Sequence, residues 1–221
     1  MERKNIIIIG VIVVIIAIIG IVFATGALNN KNQISTPFDT EFMSGAFVGN
    51  AEKINTNESY IASFIDKEHN ITYNITTLDN SSALMEIYQL QGVKGPEHRS
   101  YNGNNWNIYF GEAIPSVNNT TNVTSNESMG IVICECQKES QGYLIYIIFG
   151  DLKNVNFTLN TFGDSYVKYV EPLLKTLSLK QSSNVPALHE QYGLSQEDFQ
   201  KQMDMVHQIK AGNYSAIQQG T

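Results

Sequence analysis

The sequence predicts an α+β fold: an antiparallel sheet covered by C-terminal helices, preceded by one N-terminal transmembrane helix. Three observations predict it: an uncharged apolar run at residues 6–24, segments of strand length in the middle of the chain, and two segments of helical periodicity near its C-terminus. The expected units are a cytoplasmic tip (1–5), a transmembrane anchor (6–24), a polar stalk (25–41), an extracytoplasmic α+β domain (42–180), and a linker with a C-terminal helix (181–221).

The length and composition of residues 6–24 predict a membrane anchor. As a helix they would span about 28 Å, close to the ~30 Å hydrocarbon thickness of a bilayer. Arg3 and Lys4 precede the run, whereas Lys31 is the first cation after it. The positive-inside rule therefore predicts a signal anchor with a cytoplasmic N-terminus and an external C-terminal domain. The alternative is a cleaved signal peptide, although the run exceeds the roughly 7–15 apolar residues of such segments.

Asn-x-Ser/Thr sequons support an external placement. They begin at Asn57, Asn70, Asn74, Asn80, Asn118, Asn119, Asn122, Asn126, Asn156 and Asn213. Sequons are glycan acceptors on the surface of exported proteins, so the sequence predicts a glycoprotein. The alternative applies above all to residues 118–128, where an Asn/Thr/Ser-rich composition produces sequons without any selection for glycans.

Strands are predicted from apolar runs and period-two alternation. The predicted strands are residues 42–48, 60–65, 71–75, 83–90, 106–110, 130–136 and 143–149. The last two form the strongest pair, and residues 143–149 are apolar at both parities, as expected for a strand covered on both faces. Residues 83–90 contain helix formers but run into Ile87 and Tyr88, and we assign them to a strand. Residues 91–105, rich in Gly, Asn and Pro, are predicted to be a loop.

Two helices are predicted after the strands. Asp164 is placed to cap residues 165–177, in which Pro172 should cause a kink or break. Ser195 is placed to cap a second helix at about residues 196–211. The apolar stripe of the second helix consists of Phe199, Met203, Val206 and Ile209. Because this stripe is narrow, it is a candidate partner face, and the alternative is a helix docked on its own domain.

Few residues suggest chemistry, and we predict no enzyme, no cofactor and no metal site. Cys134 and Cys136 share one strand face without companions, and we interpret them as small apolar packing residues. His98 lies in the predicted loop before Trp106, where a ligand site is the alternative to a solvated side chain. The formal net charge of −7, without a basic cluster, disfavours nucleic-acid binding, and we expect no nucleic-acid partner.

The Ile-rich anchor and Asn/Ile-rich composition resemble small, uncharacterised, membrane-anchored cell-envelope proteins of methanogenic archaea. Residues 157–180, which end in Leu-Leu-Lys-Thr-Leu-Ser-Leu-Lys, are similar to the closing helix of PsbP-like α+β domains. This resemblance implies an accessory or binding role at the cell surface, and an anoxic exterior that suits reduced cysteines. We therefore expect a non-catalytic domain, tethered to membrane lipid by its N-terminal helix, that binds a protein or envelope component. The alternative is an exported small-ligand- or metal-binding domain.

Overall fold

The computed structural model of the chain describes residues 35–56, 61–113, 129–150 and 163–213, which form an α+β fold. A seven-stranded antiparallel sheet carries helices on one face, and a three-stranded sheet with a helix on the other. The predicted fold class is confirmed at this level. In these residues no helix is both long and apolar enough to cross a membrane, and the expected anchor at residues 6–24 lies outside them.

The seven-stranded sheet is built largely from strands that follow one another in the chain. It consists of β3 (Glu52–Ile54), β4 (Ile61–Asp66), β5 (Ile71–Leu78), β6 (Lys94–Tyr101), β7 (Asn104–Ala113), β8 (Met129–Lys138) and β9 (Gln141–Phe149). In space the order is β3-β4-β5-β9-β8-β7-β6, and every neighbouring pair is antiparallel. The strands predicted at residues 60–65 and 71–75 form the β4–β5 hairpin, and the predicted pairing of residues 130–136 with 143–149 is confirmed as β8–β9.

The central strands β8 and β9 are covered on both faces, as their apolar runs predict. Ile145 and Ile147 face one core cluster, while Leu144 and Ile148 face the other, and all four are fully buried. Alternate residues of a strand point to opposite faces of the sheet. A strand whose residues are apolar on both faces therefore needs an apolar cover on each. The rest of the fold supplies these covers.

A small sheet forms part of the first cover. Its strands are β1 (Ser35–Asp39), β2 (Met43–Val48) and β10 (Ser178–Leu179), with β2 in the middle. The ring of Phe38 in β1 stacks on that of Phe47 at 4.5 Å between centroids, inside the core. Residues 35–41, which the sequence assigns to the stalk, therefore belong to the folded domain, because Phe38 is buried in its core. Residues 25–34 of the expected stalk lie outside the described residues.

The rest of the first cover is the helix predicted at residues 165–177. It starts with residues 163–165, continues as a π-helical segment, Tyr166–Val170, and ends as α2 (Glu171–Thr176). The break predicted at Pro172 takes this form: proline has no N–H and crowds the carbonyl four residues earlier, so the wider turn comes before it. The helix already includes residue 163, so Asp164 lies inside its first turn rather than at a cap.

The second cover begins with α1 (Ser81–Leu90), and this corrects the strand predicted at residues 83–90. Leu84, Met85 and Tyr88 are buried on one side of the helix, at spacings that a helix brings together. Ile87 and Tyr88 favour a strand locally, but the burial of one face of the helix stabilises the helical conformation more than this local preference favours a strand.

A second correction concerns residues 91–105, predicted to be a loop. They contain β6, which pairs with β7 through a tight turn at Asn102 and Gly103. β6 lies at the edge of the sheet and its side chains are mostly exposed. An edge strand tolerates Pro96 and needs little apolar alternation, so its sequence does not look like a strand.

A short helix, α3 (Leu188–Gln191), precedes the C-terminal helix α4 (Gln196–Lys210). α4 begins as predicted, with Ser195 Oγ accepting a hydrogen bond from Asp198 N at 3.1 Å. Its apolar stripe is docked, not displayed. Phe199 and Met203 are buried in the second core cluster, and Val206 packs against the same cluster. The candidate partner face, including half-buried Ile209, is therefore corrected to a packing face, and α4 belongs to the folded domain.

We expect Gly142→Ala to lower the free energy of unfolding by about 1–3 kcal/mol, as overpacked substitutions do. A methyl group at Gly142 would fall on the side chain of Ser81, the first residue of α1. Chemical denaturation measures the effect. Gly163→Ala is the matched control, because nothing lies within 4 Å of the added methyl; equal stability of the two variants would contradict this close approach.

We expect Met203→Ala to lower the free energy of unfolding by about 2–5 kcal/mol, because it removes buried atoms beneath α4. Met205 on the same helix is 37% exposed, against 4% for Met203. Met205→Ala should therefore stay within about 0.5 kcal/mol of the unmodified chain. If thermal and chemical unfolding showed no difference between the two variants, α4 would not be docked through this stripe.

Candidate functional site

The strand registers define two ends of the domain. At the near end the described domain begins at Ser35, and Gly49 approaches His69 in the β4–β5 turn. At the far end lie the β6–β7 turn, the β8–β9 turn and the segment that follows β10. Two hydrogen bonds connect these far-end parts: Asn102 Nδ2 donates to Leu177 O at 2.6 Å, and Tyr143 Oη donates to Lys180 O at 2.9 Å.

A cleft of about 190 Å³ opens at the far end. One wall is the β8–β9 turn, and the other is the segment after β10. Its lining is mostly polar and includes Lys138, Glu139, Ser140, Gln181, Ser182 and Val185. Such a volume suits a small polar molecule or one side chain of a partner, since pockets for drug-sized ligands measure about 300–1,000 Å³.

Hydrogen bonds fix the two walls of the far-end cleft relative to each other. Buried Gln141 joins them, because its Oε1 accepts a hydrogen bond from Ser182 N on the opposite wall at 3.0 Å. Its Nε2 donates to Thr77 Oγ1 in β5 at 2.9 Å, which fixes the amide itself. Lys180 pairs with Asp39 and donates to a carbonyl of the same chain segment. A cleft fixed in this way loses little conformational entropy when it binds.

The second candidate is a buried polar network centred on Glu135, on the helix-covered face of the sheet. Glu135 is 1% exposed. Ser81 Oγ donates to its Oε1 at 2.6 Å, and Asn107 Nδ2 donates to its Oε2 at 2.7 Å. Asn107 Oδ1 in turn lies 2.8 Å from His98 Nδ1. The network thus runs from a buried carboxylate to an exposed imidazole on the edge strand.

The Glu135 network holds the start of α1 against the sheet. A buried carboxylate needs donors, and here they are neutral groups assisted by the N-terminal end of a helix, where the helix dipole favours negative charge. Asn107 orients the imidazole ring of His98 through Nδ1, and Nε2 takes no part in the network.

The sequence analysis missed Glu135, Ser81 and Asn107 as members of one network. The available signal was a single charged residue, Glu135, inside the apolar run at residues 130–136.

The ligand site that stood as the alternative around His98 and Trp106 is not assembled. Trp106 pairs with Arg99 across the two strands, while His98 pairs with Asn107, so the two side chains lie on opposite faces of the sheet. Trp106 is 1% exposed and belongs to the first core cluster, whereas His98 is exposed. Trp106 is thus a core packing residue, as large aromatic side chains usually are.

Cys134 and Cys136 both lie in the first core cluster as free thiols, as the packing interpretation predicts. Burial raises the pKa of the Cys134 thiol and raises that of Cys136 to about 11. Both therefore remain neutral thiols at neutral pH, whereas metal ligation and nucleophilic attack use the thiolate. Within the described ranges, no group of three or more His, Cys, Asp or Glu residues is placed to hold a metal ion.

Four of the ten predicted glycan acceptors lie in the described residues: Asn70, Asn74, Asn80 and Asn213. The candidates Asn57, Asn118, Asn119, Asn122, Asn126 and Asn156 lie outside them. Asn74 is only 4% exposed, in the middle of β5. A glycan needs a surface position, so the burial of Asn74 argues against it as an acceptor.

Comparison with known proteins adds no family. No protein-family model and no curated protein matches the chain. Among the solved structures that match is a protein from Bacteroides thetaiotaomicron VPI-5482, a crystal structure at 1.50 Å resolution. It is 6% identical, with a TM-score of 0.44, and the match covers 67% of this chain and 50% of that one. The chain thus spans about half the length of that protein. The resemblance to archaeal envelope proteins and to PsbP-like domains stays a prediction.

We expect Ser81→Ala to lower the free energy of unfolding by about 1–3 kcal/mol, because buried Glu135 loses a hydrogen-bond donor. The matched control is Ser100→Ala, which removes a 2.7 Å bond to Asn105 Oδ1 on the exposed edge strand. The control should change stability by less than about 0.5 kcal/mol. Urea denaturation of both variants makes the comparison, and a Ser81→Ala chain as stable as the control would contradict the role given to this hydroxyl.

Proposed function

We propose that the chain is a membrane-tethered extracytoplasmic domain, not an enzyme, that binds a protein or envelope component through its far end. The observation that carries the proposal is the opposite placement of Ser35 and the far-end cleft along the sheet. If residues 6–24 span the membrane, the ten residues 25–34 can reach at most about 35 Å. The near end then stays close to the bilayer, and the far end is the part displayed.

The composition of the far end supports a binding role. Binding residues lie disproportionately in loops and turns that a rigid scaffold positions. The far end contains the β6–β7 and β8–β9 turns and a cleft whose walls are joined by hydrogen bonds. Lys138 and Glu139 supply exposed charges of both signs at its rim. Polar and charged groups of this kind confer specificity on a contact.

The runner-up is an exported domain that binds a small ligand, and the cleft itself favours it. A volume of about 190 Å³ with hydroxyl, amide and charged groups matches a small polar molecule. Native mass spectrometry of the chain purified from its source distinguishes the two functions. A defined mass of a few hundred daltons lost on denaturation would favour the small ligand.

Site-specific photo-crosslinking in native membranes tests the proposed partner. The photoreactive residue replaces Glu139 at the far end and, in a matched control, Glu68 in the near-end turn; both are exposed glutamates in hairpin turns. We expect one discrete adduct from position 139 and none from position 68. Adducts of equal yield from both positions, or adducts from position 68 alone, would contradict binding through the far end.

A further inference from the structure

We infer that Asn80 is the asparagine that receives an N-linked glycan on the folded domain, among the sequons in the described residues. The inference rests on the extracytoplasmic placement proposed above. It follows from comparing the surroundings of the four acceptor amides, because the enzyme that transfers a glycan must reach the side-chain nitrogen Nδ2. A sequon whose nitrogen is enclosed by packing offers no such access.

Asn74 is the most enclosed of the four. β5 lies between β4 and β9, and Asn74 pairs with Ser63 on one side and Tyr146 on the other. Ser63 Oγ donates to Asn74 Oδ1 at 2.7 Å, so the amide is oriented within the sheet. A glycan on Nδ2 would have to leave through a buried face, and the domain would have to open to accommodate it.

Asn70 is partly enclosed. It occupies a left-handed conformation (φ 52°) in the β4–β5 turn and is half-buried. Its amide group packs against Gly150, where even one added methyl would collide with it. Asn213 is exposed after α4, but the second and third positions of its sequon lie outside the described residues.

Asn80 differs from both in access. It is exposed in the turn between β5 and α1, in a left-handed conformation (φ 47°) that asparagine tolerates better than most residues. Although it stands at the start of α1, its side chain makes no capping hydrogen bond, so a glycan on the amide would remove no cap from the helix. The sequon hydroxyl, on Ser82, is exposed as well.

The transfer would use a polyprenyl-phosphate-linked glycan as donor. The bond between the anomeric carbon and the phosphate oxygen breaks, and the bonding pair leaves with the lipid phosphate. A bond forms between that carbon and Asn80 Nδ2, and the amide loses one proton. The glycan would then stand at the far end of the sheet, where the β5–α1 turn and the β8–β9 turn lie side by side.

The test is glycopeptide mapping of the full chain purified from membranes of its natural source. We expect a glycan mass on more than half of the Asn80 peptide and none on the Asn74 peptide. Ser82→Ala should abolish the modification, whereas Ser82→Thr, which keeps the sequon, should retain it. Both changes leave the left-handed Asn80 in place, and equal melting temperatures of the deglycosylated variants confirm that folding is unaffected.

A second measurement separates this inference from the proposed location. Protease added to intact cells digests an external domain and spares an internal one. Digestion together with an unmodified Asn80 peptide would overturn the glycan site and leave the external placement standing. Protection together with an unmodified peptide would overturn both, and a glycan on Asn74 would overturn the access argument itself.

Discussion

The burial of β9 on both faces is the constraint on which the rest of the described fold depends. A strand in which Leu144, Ile145 and Ile147 are all fully buried cannot leave either side to water. At about 25 cal/mol per Å² of apolar surface, exposing one face of β8 and β9 would cost more than the few kcal/mol by which domains of this size are stable. Each face therefore acquires a cover of its own: residues 35–48 and 163–179 form the first, and residues 81–90 and 188–210 form the second.

The two covers are fixed by different physics. The first is aromatic and aliphatic packing, in which β1 and β2 stack Phe38 and Phe47 beneath the closing helix. The second includes a polar element, because Glu135 lies in the middle of the sheet face beneath α1. Since a buried carboxylate without donors is far more costly than one with them, Ser81 must sit where it does, and only a glycine at position 142 leaves room for it.

The parts of this fold that the sequence predicts are those in which local preference and tertiary packing agree. Apart from Glu135, residues 130–136 and 143–149 of the β8–β9 pair are apolar, and α4 has a matched cap at Ser195, so both are confirmed. β6 and α1 are missed for opposite reasons: the edge strand buries too little to require an apolar pattern, and α1 buries a helical stripe that contains β-formers. Register is beyond sequence reasoning altogether, and register alone separates His98 from Trp106 and brings Glu135 to Asn107.

The same constraint limits where the described domain can meet anything else. With both of its faces covered, the seven-stranded sheet itself is accessible only at its two edges and its two ends. β3 is a three-residue edge, and β6 is an edge with exposed Lys94 and Pro96, features that discourage pairing with another strand. If the near end lies against a bilayer, the far end is the end of the sheet that stays accessible, and there the chain turns back beside a cleft whose walls are joined by hydrogen bonds. A membrane tether would thus restrict access to one end of the sheet, while the two covers restrict access to its faces.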